Sequence, residues 1–161
     1  MEEWSKALRA QAEIDMRAID IILDSQGDTK PWATVAMLFQ MVFEKVAKAA
    51  FARASEQGFK STLGKHSSLS KFLKATSNQS KYTNLHRQPT KVLLVKLKAL
   101  EALNPAEAKL GHLEYPWEEG GLVKLPTELP IVQELANPLS SWAPKARRLA
   151  WQFLDEFDSI F

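Results

Sequence analysis

The sequence predicts an all-α protein with four main helices and one or two short ones. Three observations predict it. Apolar residues recur at helical spacing over long segments; no run alternates apolar and polar residues as a half-buried strand would; and Gly, Pro and Ser/Thr fall where helices start and stop. The chain has 161 residues, 45% of them apolar and 25% charged. That composition suits one globular domain over 1–161 with a real core, not a disordered chain.

Glu2 to Asp24 reads as the first helix. Trp4, Ala7, Leu8, Ile14, Ala18, Ile21 and Ile22 recur at helical spacing and form one stripe of the kind a bundle buries. SQGDTKP breaks the helix, with Gly27 suited to a terminus and Pro31 to a new first turn. Trp32 to about Ala54 is the second helix. It is apolar on nearly every side, from Val35 to Phe51, as expected of a helix central to a bundle or buried by a dimer. Gln40, Glu44 and Lys48 stand out on it, four residues apart along one face.

EQGFKSTLGKHSS reads as a loop, and Ser67 or Ser68 caps a short helix over LSKFLKAT. A polar loop, SNQSKYTNLHRQP, follows. Thr90 caps a helix from Lys91 to Leu103, and Asn104-Pro105 opens a short one to about Leu110. Residues 111–130 hold three prolines and three glycines and read as irregular. IVQELA gives a helical turn or two before Pro138. Ser141 then caps a last helix running to the C-terminus, with Trp142, Leu149, Phe153 and Ile160 on its apolar face.

Charge is distributed unevenly. The net charge is only +2, yet residues 45–98 hold twelve Lys or Arg against one acid, Glu56, and no acid occurs from Gln57 to Leu100. Two readings stay open: the acidic flanks fold onto this segment and neutralise it, or it forms a face for phosphate or an acidic partner. The absence of cysteine removes disulfides and thiolate chemistry and fits a reducing, cytoplasmic setting. MEEWSKALRAQ lacks the apolar core of a signal peptide, and no apolar run is long enough to span a membrane.

Few residues carry chemistry. Asp15, Glu44 and Lys48 form a candidate polar cluster between the first two helices, read either as an ion-pair network that fixes register or, with Gln40, as a nucleotide or phosphate site. Lys65, His66, Tyr82, His86 and Arg87 are the candidates for nucleic-acid or partner binding. His86-Arg87 beside Tyr82 puts a cation and two stacking rings in one loop. The three histidines are too scattered to predict a metal site. No Gly-rich phosphate loop, nucleophile elbow or His-Glu-x-x-His pattern occurs, and no cofactor is expected.

FQMVFEKVAKAA, with Gln40, Glu44, Lys45, Lys48 and Ala49, resembles the second helix of HEPN (higher eukaryotes and prokaryotes nucleotide-binding) domains. AEIDMRAIDIIL with Asp15, KHSSLSKFL with His66 and Leu69, and LEYPWEEG are similar to further stretches of that family, in the same order. The resemblance implies an up-and-down four-helix bundle, a homodimer, and association with a nucleotidyltransferase-like protein in a toxin–antitoxin pair. Active members of the family are metal-independent ribonucleases with Arg-x(4–6)-His near the last helix. This chain has Arg147 and Arg148 there but no histidine after His112. The expectation is therefore a non-catalytic or divergent member that binds RNA, a nucleotide or an acidic partner. The alternatives are a ribonuclease with an atypical site, such as His86 with Arg87, and a dimeric interaction module without a nucleic-acid role.

Overall fold

Helices α1 (Glu2–Asp24) and α2 (Trp32–Ala54) form an antiparallel hairpin, joined by the Gly- and Pro-containing turn. The structure is a computed structural model that describes residues 1–27, 29–64, 66–76, 88–103, 113 and 116–160. Ser5 donates to the Ala49 carbonyl at 2.9 Å and ties the open end of the hairpin. Around α2 lie α3 (Glu56–Lys60), α4 (Ser68–Thr76), α5 (Gln88–Glu101), α6 (Pro130–Ala136) and α7 (Trp142–Asp155), followed by α8 (Phe157–Ile160). The class is all-α. No helix among the described residues is long and apolar enough to cross a membrane.

The apolar composition of α2 explains its central position. Val35, Phe39, Val42, Phe43 and Val46 are buried, and Ala36, Ala47, Ala49, Ala50 and Ala52 let neighbouring helices approach closely. Phe43 meets Phe153 of α7 edge-on at 5.9 Å, and Phe39 packs on Trp142 at 6.2 Å. Burying each phenylalanine contributes about 1.5–3 kcal/mol. The apolar surface of α2 is thus covered within one chain, by α1 on one side and α4 to α7 on the others.

Several elements differ from the sequence reading. The core face of α1 is Ser5, Ala12, Asp15, Met16 and Ile19, whereas Trp4, Ile14 and Ile21 are exposed. Only Leu8 and Ile22 of the expected large apolar residues pack against the core. Periodicity located the helix but not which of two apolar faces would be buried. Residues 56–60, read as loop, form α3, capped by the Ser55 hydroxyl accepting from the Gly58 N–H at 2.9 Å. Helix α5 starts at Gln88, so Pro89 lies in its first turn, where its missing N–H costs nothing.

The stretch read as irregular contains an antiparallel hairpin, β1 (Trp117–Glu119) with β2 (Leu122–Lys124). Gly120 and Gly121 turn it with φ of 59° and 78°, the left-handed pair that a tight hairpin turn requires. A 3₁₀ turn over Pro126–Glu128 follows. The last helix breaks at Glu156 before α8 instead of running on. The short helix expected over 105–110 lies outside the described residues.

Candidate functional site

Helices α4 and α5 owe their pairing to their apolar spacing. In α4, Leu69, Phe72, Leu73 and Thr76 point inward at intervals of three and four, leaving Ser70, Lys71 and Lys74 outward. In α5, Leu93, Leu94, Leu97 and Leu100 are buried, and Lys91, Val95 and Lys98 face out. Where the outward edges meet they enclose a groove of about 500 Å³. Leu73, Leu94 and Val95 line it; Lys74, Lys91 and Lys98 supply three ammonium groups; Ser70 completes it. No acid among the described residues lines this groove.

The other described cations of the basic segment are committed. Lys45 pairs with Asp15, Lys48 with Glu44, Arg53 with Asp158, Lys60 with Glu56 and Lys96 with Glu134. Lys71 donates to the Ser61 carbonyl at 3.0 Å. Lys91 and Lys98 have no carboxylate partner among the described residues. Among the described residues the fold thus pairs one set of these cations internally, while Lys91 and Lys98 face the α4/α5 groove.

One buried carboxylate holds the groove together. Glu101, at the end of α5 and 6% exposed, accepts from the Leu69 N–H at 2.8 Å, from the Ser70 N–H and from the Ser70 hydroxyl. It satisfies backbone donors that the first turn of α4 would otherwise leave open, and its charge suits a helix N-terminus. Burial pushes its carboxyl above the ordinary value, opposed by the hydrogen bonds from Ser70 and Leu69, and the neighbouring Glu44 charge raises it further.

The expected cluster of Asp15, Glu44 and Lys48 is two separate arrangements. Asp15 is buried and held by Lys45 and by Gln11 Nε2 at 3.1 Å. Glu44 accepts from Lys48 at 2.6 Å, and its second oxygen lies 3.0 Å from His66 Nδ1. Gln40 is half-buried and makes no side-chain hydrogen bond among the described residues. Lys65, Tyr82, His86, Arg87 and His112 lie outside the described residues. Sequence reasoning missed Glu101 and Ser70. The available signal was that Glu101 is the first acid after a run of more than forty residues without one.

A larger concavity of about 900 Å³ lies where α7 meets the α1–α2 turn and the end of α6. Trp32, Leu135, Pro144 and Trp151 supply apolar wall. Its Arg147 donates to Asp20 at 2.7 Å and to both oxygens of Asp24 at 2.9 and 2.8 Å, and Trp151 Nε1 donates to Asp20 at 3.0 Å. Asp155 and Glu156 also line it. That mixed field does not select an anion as the α4/α5 groove does. No group of three metal-ligating side chains occurs among the described residues. Set against family models, curated proteins and solved structures, the chain matches none.

Proposed function

We propose that the chain is a non-catalytic module that binds the phosphate backbone of single-stranded RNA in the α4/α5 groove. The observation that carries this reading is the gathering of Lys91 and Lys98, with Lys74 beside them, on a groove that no described acid lines, in a chain that pairs most of the neighbouring described cations internally. Lys91 and Lys98 are two helical turns apart, roughly 10 Å along α5. That separation suits successive phosphates of a strand better than the single cluster of a mononucleotide. Among the described residues the groove offers no aromatic ring for stacking, so what they supply is backbone binding by charge with little base preference. An RNA ligand accords with cytoplasmic action and with the resemblance to HEPN domains, including pairing with a nucleotidyltransferase-like protein in a toxin–antitoxin system.

Fluorescence anisotropy with labelled single-stranded RNA tests the proposal. Two lysine–phosphate contacts, from Lys91 and Lys98, predict a slope of about −1.4 in log affinity against log salt. Replacing Lys91 and Lys98 by alanine lowers affinity and flattens that slope. Affinity that is independent of salt, or a slope unchanged in the variant, contradicts the proposal.

One observation favours a second reading. Glu44 sits 3.0 Å from His66 Nδ1, and the His66 side chain is 44% exposed, so a carboxylate orients an accessible imidazole near the start of α4. A carboxylate that orients an imidazole is an arrangement in which histidine serves as general acid or base. A ribonuclease of atypical site would therefore use His66. Incubation of RNA with parent and His66→Ala protein in EDTA separates the readings. Cleavage by the parent that is lost in the variant establishes the enzyme; no cleavage by either leaves the binding module.

A further inference from the structure

Helix α1 has a second apolar face that the described residues leave open. Ala7, Ala10, Ile14 and Ile21 follow one another at three, four and seven residues on the side away from α2, with Ile14 60% and Ile21 73% exposed. Glu3 and Arg17 lie on the same face and are exposed. We propose that this face pairs with the same face of a second copy of the chain, antiparallel about a two-fold axis near Ala10.

Size and charge both argue for this occupant. Centred on Ala10, an antiparallel pair sets Ile14 against Ala7 of the second copy, large side chain into small, while the two Ala10 residues let the backbones approach. The same register brings Arg17 beside Glu3 of the second copy, opposite charges at both ends of the contact. It also carries Ile21 toward Met1 of the second copy, itself 40% exposed. Arg17 now pairs with Glu13 one turn away and lies over the Trp151 ring at 5.8 Å; it is 66% exposed, and turning to Glu3 of the second copy exchanges those contacts for one across the interface. The covered surface is on the order of 1,000 Å², the lower bound for a specific interface, so the dimer is weak and concentration-dependent. The dimer expected from the apolar second and last helices needs a different surface, because those helices cover each other within one chain.

Sedimentation equilibrium across the micromolar range, with two variants, tests the pairing. The parent shows a monomer–dimer equilibrium, and Ile14→Glu raises its dissociation constant at least about tenfold. The variant keeps its helical circular dichroism, because the replaced side chain is exposed. The chain has no cysteine of its own, so Ala10→Cys reports the axis directly. Under mild oxidation it cross-links to a covalent dimer much faster than Leu139→Cys, a 92% exposed position off this face. Three results overturn the proposal: a monomer at every concentration, a dimer indifferent to Ile14→Glu, or cross-linking at Ala10 no faster than at Leu139.

Discussion

Glu101 shows how much one side chain decides here. It ends α5, caps α4 and so fixes the two walls of the groove, while its burial raises its carboxyl. Because the folded state prefers the protonated acid, ionisation costs stability as pH rises from the ordinary value near 4.5 through the raised one. Denaturation across pH should show the parent losing stability relative to Glu101→Gln over that window; a gap constant with pH contradicts the assignment. Glu101→Ala is expected to destabilise by about 1–3 kcal/mol at neutral pH by leaving the Leu69 and Ser70 N–H groups without an acceptor. Asp158 behaves in the opposite sense. Arg53 and Arg9 hold its carboxyl below the ordinary 3.8, so its contribution is present above that value and lost as pH falls through the lowered one. Asp158→Asn should therefore lower the melting temperature at neutral pH, with the difference closing in acid. A difference that persists there would mean that the side chain acts through packing and not charge.

At the scale of elements, α2 was legible and α1 only half so. A helix apolar on all sides must be surrounded, so Val35 to Phe51 announce their burial without further information. Phe43→Ala should cost about 3–5 kcal/mol in urea denaturation, as expected where a large buried ring leaves a cavity; a loss under about 1 kcal/mol contradicts the central placement of α2. Helix α1 carries apolar residues on two adjoining faces, and spacing alone does not say which one meets α2. The fold decides it through polar residues: Ser5 and Asp15 are buried because each finds a partner on α2, Ala49 and Lys45. The hairpin over 117–124 was missed because its strands are three residues each, too short for a pattern, although Gly120-Gly121 was a usable turn signal.

For the whole molecule, the charge asymmetry was plain in the sequence, but its outcome was not. Which lysines meet acids depends on contacts far apart in the chain, such as Lys45 with Asp15 and Lys96 with Glu134. Only the fold sorts such neutralised cations from Lys91 and Lys98, which face the α4/α5 groove. The candidates on 65 and 82–87 lie outside the described residues, so the site rests on helix residues that the sequence reading had not singled out beyond their charge. The most direct test of the central claim is RNA affinity after matched charge reversals. Lys91→Glu with Lys98→Glu reverses two groove charges; Lys60→Glu with Lys124→Glu reverses two that the fold pairs elsewhere. Net charge changes equally in both proteins. The account predicts that the groove pair abolishes measurable binding while the control pair retains affinity within a few-fold of the parent. Equal losses in the two proteins would show that overall charge, and not the α4/α5 groove, holds the RNA.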